Sequence, residues 1–162
     1  MKMTEIKVGI ADLNLVLSPG KIMTIGLGSC IGISLYDKTL KIAGLAHIML
    51  PDSKQFKNIP QPLKFADLAV PILVKNMEAH GCKKRNLVAK IAGGASMFNF
   101  SDKSMVSDIG KRNTIAVKET LKCESIPIIA EETGGNKGRT MIVDSMDGTV
   151  TIRVVGQDIL TL

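Results

Sequence analysis

The amino-acid sequence predicts an α/β fold, namely a single-domain sandwich of mixed β-sheets covered by two main helices. Three observations support this prediction. The chain has 162 residues, which is the size of one typical domain. Apolar residues alternate at period two, or form short β-branched runs, over most of the first fifty positions. Two later stretches keep helical spacing. We therefore expect one domain over residues 1–162, with eight or nine strands and two helices.

The N-terminal third predicts a series of strands. Apolar side chains alternate over residues 8–17, and Ser18-Pro19-Gly20 predicts a turn. Apolar, β-branched runs follow at 22–27, 31–36 and 40–50. The polar stretch that comes next, with its prolines, indicates a loop.

Two helices are expected in the rest of the chain. The first begins at Pro62, which suits a first helical turn, and ends near His80 with Gly81 as its C-terminal cap. Pro71 lies inside this helix and predicts a kink. The second helix runs from Asp108, a candidate cap, to about Lys122.

The remaining apolar runs predict four more strands. They lie at 87–91, 126–130, 141–143 and 150–154. Asp147-Gly148 stands between the last two, and this dipeptide is typical of a hairpin turn. The chain therefore closes with a hairpin.

Composition restricts the classes of function. Hydrophobic residues make up 45% of the chain and charged residues 22%, which is typical of a globular protein. The net charge is +6, but the cations are scattered, and only 3% of residues are aromatic. A surface that stacks nucleic-acid bases is therefore not expected, nor is a membrane-inserted segment, since no apolar run is long enough to span a bilayer.

The cysteines indicate a reducing compartment. There are three, at positions 30, 82 and 123, and no two form a CxxC pair. An odd number without this spacing argues against a disulfide framework and a structural zinc site. The N-terminus lacks the apolar segment of a signal peptide. We expect a cytoplasmic protein with no metal or organic cofactor.

Cys30 and His47 are the candidate chemical pair. Gly28 and Ser29 precede Cys30 at the junction of two expected strands, and such a turn can present a thiol and supply backbone amides to an oxyanion. A thiol nucleophile needs a base, and His47 lies in an apolar strand that could neighbour the strand after Cys30. From spacing alone, a buried cysteine is usually just a small core residue, and a histidine in an apolar strand is more often a core histidine than a catalyst.

Several motifs in one order make the chain resemble the CheD family, the chemoreceptor glutamine deamidases of bacterial chemotaxis. The resemblance covers about residues 8–155. It is carried by Gly26-Leu27-Gly28-Ser29-Cys30, Gly44-Leu45-Ala46-His47, Pro51-Asp52, Lys90 to Ala95 with Met97-Phe98, Ile109-Gly110 with Arg112-Asn113, and Glu132 to Arg139.

The resemblance implies a Cys–His hydrolase that deamidates glutamine side chains of methyl-accepting chemotaxis receptors. It assigns Cys30 as nucleophile, His47 as base and Thr24 as the residue that orients the histidine. It also implies a regulatory partner, the phosphatase CheC. We expect no cofactor, and a monomer when the protein is free. An activated Cys30 thiol would also be alkylated faster than Cys82 or Cys123.

Two further segments are candidates for binding substrate or partner. Phe98 and Phe100 follow a glycine pair and could anchor a docking surface or join the core. Gly134 and Gly135 open a glycine-rich loop that lacks the ending of a phosphate loop and could line the substrate path.

Other functions remain open alternatives. The same Cys–His chemistry could act on a peptide or ester bond. A non-catalytic module that docks to the receptor or to CheC and modulates it is the alternative from another class. A nucleophile elbow around Cys30 is disfavoured because a strand, not a helix, is expected to follow it. A metal site from His80, Cys82 and Cys123 is disfavoured by their irregular spacing.

Overall fold

The computed structural model describes residues 2–59, 61–96 and 109–162. These residues form ten strands and two α-helices, in agreement with the predicted α/β class. In chain order they are β1 Thr4–Val8, β2 Asp12–Leu17, β3 Gly20–Leu27, β4 Ile31–Asp37, β5 Ile42–Ile48, α1 Ala66–Ala79, β6 Leu87–Gly93, α2 Ile109–Cys123, β7 Ile128–Thr133, β8 Arg139–Asp144, β9 Val150–Arg153 and β10 Leu160–Thr161.

The strands form two mixed sheets of five strands each. The first sheet has the order β1-β3-β8-β9-β10, and the second has the order β2-β5-β4-β6-β7. Each sheet contains one parallel pair, β1 with β3 and β6 with β7, and is otherwise antiparallel. The sandwich of mixed sheets predicted from the sequence is therefore confirmed.

Side-chain alternation along the second sheet separates two apolar layers. On β5, Ile42, Ala46 and Ile48 pack in a cluster with both helices, whereas Ala43 and Leu45 pack against the first sheet. Because successive side chains of a strand point to opposite faces, His47 is directed toward the first sheet. The sequence of β5 thus places a histidine between the two sheets.

The first helix begins four residues later than predicted. Pro62–Lys64 forms a 3-10 turn, and Phe65 remains extended with φ −108° and ψ 133°. Phe65 is held in this conformation by a parallel bridge to Leu50, so the α-helix starts at Ala66. Pro71 lies within the helix as expected.

The predicted turn residues are confirmed at two positions. Gly81 follows α1 with φ +96°, a left-handed conformation that favours glycine, and its N–H donates to the Glu78 carbonyl at 3.0 Å. Gly148 in the β8–β9 hairpin has φ +78°. The two-residue strand β10 was not predicted, because so short a segment carries no periodic signal.

The second helix starts at Ile109, and the predicted cap Asp108 lies outside the described residues. Neither of the two α-helices in the described part of the chain is long and apolar enough to cross a membrane.

Candidate active site

Cys30 lies in the turn between β3 and β4, directly before β4, where it is half-buried and packs against the layer between the sheets. The two residues that follow β6 hold this turn by two backbone bonds. Gly94 N–H donates to the Cys30 carbonyl, and Ala95 N–H donates to the Gly28 carbonyl, both at 2.8 Å. The Cys30 turn is therefore fixed to the second sheet on both sides of the thiol.

Gly93 must be glycine for this contact to exist. Its φ is +114°, and a Cβ atom there would lie 2.1 Å from the Cys30 carbonyl oxygen. Any side chain would displace the backbone of Cys30. The glycine at position 93, the last residue of β6, is thus explained by close approach to the Cys30 turn.

His47 is fully buried on β5 and pairs directly with Gly32 of β4. Cys30 is two residues before Gly32, and residues two apart along an extended chain point to the same face. Cys30 therefore lies on the face of β4 that corresponds to the His47 side of β5. A Cβ atom at Gly32 would lie 2.7 Å from Met141 Sδ, so a larger residue beside His47 would require the methionine side chain to shift. The expectation that the strand after Cys30 neighbours the strand that carries His47 is confirmed.

Thr24 connects the two sheets at His47. The Thr24 hydroxyl donates to the Val8 carbonyl at 2.7 Å, and its oxygen lies 2.7 Å from His47 Nδ1. A carbonyl can only accept, so the single hydroxyl proton is used there, and Nδ1 must carry the proton of the second bond. The lone pair of the neutral ring is therefore on Nε2, which has no hydrogen-bond partner among the described residues.

Burial keeps both groups of the pair neutral. Desolvation lowers the pKa of His47 from 6.5 to about 4. Desolvation also raises the pKa of the Cys30 thiol, and the hydrogen bond from its own backbone amide offsets this only in part. Near neutral pH the pair is a thiol and an imidazole, so the expected rapid alkylation of free Cys30 is not supported by this environment.

The backbone amides of the turn differ in their availability. Gly28 N–H donates to the Gly26 carbonyl at 3.1 Å, so it is already used within the turn. Neither Ser29 nor Cys30 has a backbone carbonyl acceptor for its N–H among the described residues. The backbone N–H of Cys30 lies beside the Cys30 thiol. A hydrogen-bond donor is therefore next to any group that becomes bonded to Sγ.

Asn113 of α2 is a site residue to which sequence reasoning gave no role. Its side chain is fully buried, and Nδ2 donates to the carbonyls of Ser29 and Met49, both at 2.9 Å. These carbonyls belong to the residue before Cys30 and to the residue two positions after His47. The Arg112-Asn113 motif was a signal for this residue, but the spacing alone did not indicate its contacts.

The Gly134–Gly135 loop lies next to the segment that supports Cys30. Gly134 N–H donates to the Gly93 carbonyl at 2.9 Å, and Gly135 accepts from Ser96 N–H at 2.8 Å. Arg139, which is buried, donates to the carbonyls of Glu132 and Gly134 and fixes the loop from inside. Phe98 and Phe100 lie outside the described residues.

The other cysteines are in different environments. Cys82 is buried, and desolvation together with the nearby Asp37 carboxylate raises its pKa to about 11. Cys123 is exposed at the end of α2. Within the described residues, no three His, Cys, Asp or Glu side chains are arranged to hold a metal ion.

Comparisons with known proteins identify the family of the chain. Residues 49–154 match the family CheD, described as CheD chemotactic sensory transduction. The chain belongs to the CheD family. It is 72% identical to a protein of Clostridium botulinum (strain Alaska E43) named probable chemoreceptor glutamine deamidase CheD, over 100% of both chains.

Two further CheD relatives carry the same name. The Clostridium kluyveri protein is 65% identical over 98% of both chains, and the Clostridium acetobutylicum protein is 61% identical over 96% of this chain and 93% of its own. Among solved structures, the Bacillus licheniformis hypothetical protein YfiH is 13% identical, with a TM-score of 0.41 over 70% of this chain and 46% of that one.

Proposed function

We propose that this CheD protein is a protein-glutamine deamidase that converts selected glutamine side chains of chemoreceptors to glutamate, with Cys30 as nucleophile and His47 as general base. The observation that carries the proposal is the Thr24–His47 bond, which leaves an unprotonated Nε2 between the sheets, on the face shared with Cys30. The names of the CheD relatives supply the substrate class.

The first step is attack by sulfur. His47 Nε2 accepts the Cys30 proton while Sγ bonds to the carboxamide carbon of the glutamine. Because the pKa of the thiol is raised and that of the imidazole is lowered, an ion pair does not form in advance. Proton transfer must therefore accompany the attack, which is general base catalysis.

The tetrahedral intermediate carries its negative charge on the former amide oxygen. The N–H groups of Ser29 and Cys30 are the donors proposed to bind it, since both lack a backbone acceptor in the described residues. Donors that are fixed in place before the reaction stabilise such charge without reorganisation. The bonds from Gly94 and Ala95 to the turn provide this rigidity.

Collapse of the intermediate breaks the C–N bond. The His47 imidazolium returns its proton to the leaving nitrogen, and ammonia departs from a thioester on Cys30. Water then attacks the thioester carbon while Nε2 takes its proton, the C–S bond breaks, and the thiol is restored. The sum is glutamine plus water giving glutamate plus ammonia, with no net change in the enzyme.

We further propose the partners and location that the family resemblance implies. Receptor glutamines are the substrate, a CheC-type phosphatase is the regulator, and the free protein is a cytoplasmic monomer. Gly134 and Gly135 are proposed to line the approach to Cys30. This role is supported by the hydrogen bonds of their loop to Gly93 and Ser96, beside the Cys30 turn.

Mass spectrometry of a receptor cytoplasmic fragment tests this function. The fragment is incubated with the wild-type protein and with Cys30→Ala, and each glutamine is scored for conversion. We expect conversion at specific glutamines by the wild type only. A complex that forms without any conversion would instead support the binding module, and conversion by both proteins would remove Cys30 from the mechanism.

A further inference from the structure

The N-terminal part of α2 contacts both the Cys30 turn and the segment that supports it. Gly110 packs so closely that a Cβ atom there would lie 2.5 Å from the Ala95 carbonyl oxygen. One turn later, the Asn113 amide reaches the carbonyls of Ser29 and Met49. The helix therefore touches both the segment that supports the Cys30 turn and the turn itself.

The two bonds of Asn113 join the two chain segments that carry the proposed chemistry. Ser29 precedes Cys30 on the way into β4, and Met49 follows β5, which carries His47. Both bonds come from one amide nitrogen, 2.9 Å from each oxygen. Since a planar NH₂ group has its two hydrogens in fixed directions, the two carbonyls are held at a fixed separation.

Burial of the polar Asn113 side chain costs free energy that packing contacts alone do not explain. It is fully buried, and its Oδ1 atom has no hydrogen-bond partner among the described residues. An apolar side chain of the same size would avoid the cost of that oxygen, while leaving the two carbonyls without their donor. The structure therefore keeps a polar group at this position for the two bonds of Nδ2.

We propose that Asn113 is a positioning residue, which sets the placement of Cys30 relative to His47 by clamping the Ser29 and Met49 carbonyls together. It does not touch substrate. Its role rests on the proposed function, because the placement matters through the attack of Sγ and the proton transfer to Nε2. Misplacement of reacting groups by about 1 Å can cost about a hundredfold in rate.

The test uses Asn113→Leu, which keeps the volume, and Asn113→Ser, which leaves room for water to reach the carbonyls if the leucine variant does not fold. Val117→Ala is the matched control, because Val117 is buried on the same helix and packs with the helical core cluster. All are assayed well below their unfolding temperatures, for kcat and KM on the receptor fragment. The pH profile of Cys30 alkylation is measured alongside, with Cys123 as internal reference.

We expect the Asn113 variants to lose at least about tenfold in kcat with KM changed by less than about threefold, since binding contacts remain. We expect Val117→Ala to stay within about twofold of the wild type. Release of the turn should also expose Cys30, so its alkylation profile should move to lower pH in the Asn113 variants only. Wild-type kcat and profile in both Asn113 variants would overturn the proposal.

The alkylation profile separates this proposal from the proposed function. If the wild-type protein converts no glutamine, the proposed function fails, and the profile alone decides the clamp. A shift in the Asn113 variants then supports it, and no shift overturns it. A fall in kcat without any shift would also overturn it, because Asn113 would then act other than by holding the Cys30 turn.

Discussion

The Thr24 hydroxyl oxygen lies 2.7 Å from His47 Nδ1 and joins the two sheets of the sandwich at a buried histidine. Thr24 is on β3 of the first sheet, and His47 is on β5 of the second. Because the hydroxyl donates to Val8, it can only accept from the ring. This one contact determines both the orientation of the imidazole and the nitrogen that remains free to act as a base.

Replacement of Thr24 by a residue of the same shape should show what the hydroxyl contributes to the orientation and tautomer of His47. Thr24→Val keeps the shape but removes the acceptor for Nδ1–H, so the ring can turn or change tautomer. We expect kcat to fall by about ten- to a hundredfold or more, and stability to fall by about 1–3 kcal/mol because a buried donor loses its partner. Ammonia release and chemical denaturation measure the two losses.

Thr24→Ser is the control for the valine variant, because it retains the hydroxyl. It should keep most of the activity. Equal activity of the serine and valine variants would mean that the hydroxyl does not govern the state of the ring.

Burial of neutral His47 should make stability depend on pH. The folded-state pKa is about 4 against 6.5 when unfolded, so only the unfolded chain binds a proton between these values. The contribution of His47 is therefore fully present above about pH 6.5 and is lost progressively until about pH 4, by a total of about 3 kcal/mol. Denaturation of the wild type and of His47→Gln across this range measures the difference.

Subtraction of the His47→Gln curve removes the effect of the carboxylates, which titrate in both proteins. We expect the stability advantage of the wild type to shrink toward acid pH. An advantage that is constant from about pH 7 to about pH 4 would show that His47 is not held neutral by burial.

The three cysteines should react with iodoacetamide in the order Cys123, then Cys30, then Cys82. Cys123 is exposed, Cys30 is half-buried with a raised pKa, and Cys82 is buried with a pKa of about 11. Each pKa unit above the ordinary value lowers the thiolate fraction about tenfold near neutral pH. Mass spectrometry of timed digests gives the three rates, and alkylation of Cys30 ahead of Cys123 would mean that the thiol is activated before substrate binds.

Gly93→Ala should disrupt the site through the backbone. The new Cβ would lie 2.1 Å from the Cys30 carbonyl oxygen at a left-handed φ of +114°. We expect a loss of at least about 3 kcal/mol in stability, from strain and overlap together. Turnover should also be lost in whatever fraction remains folded, because the Cys30 turn must shift.

Gly9→Ala is the matched control for Gly93→Ala, since a Cβ atom at Gly9 has nothing within 4 Å. Its stability and activity should stay near wild type. A comparable loss in both variants would indicate a general intolerance of alanine rather than contact with the Cys30 turn. Thermal melts and ammonia release compare the pair.

Individual strands and turns were predictable because the residue pattern within each segment is enough to indicate them. The apolar run at 40–50 predicted a strand around His47, and the glycines before Cys30 indicated the turn between two strands. The predicted start of α1 was wrong because a residue distant in sequence decides it. Leu50 pairs with Phe65 and holds it in an extended conformation. No signal within the 62–65 segment itself reveals that contact.

The hydrogen bonds between site residues depend on how the sheets and helices pack together. Thr24 and His47 belong to different sheets, and Asn113 reaches Ser29 from a helix, so their contacts span long separations in sequence. The family resemblance assigned Thr24 its role, but residue spacing could not supply the tautomer of His47. That tautomer follows from the bond between Thr24 and the Val8 carbonyl, and these two residues are partners in the pairing of β1 with β3.

Interception of the thioester on Cys30 tests the central claim most directly. Hydroxylamine attacks thioesters, so its addition during turnover should divert the modified glutamines of the receptor fragment from glutamate to the hydroxamate. We expect mass spectrometry to find the hydroxamate with the wild type and with Cys123→Ala, and neither product with Cys30→Ala. Glutamate that forms without hydroxamate, or that still forms with Cys30→Ala, would contradict catalysis through a Cys30 thioester.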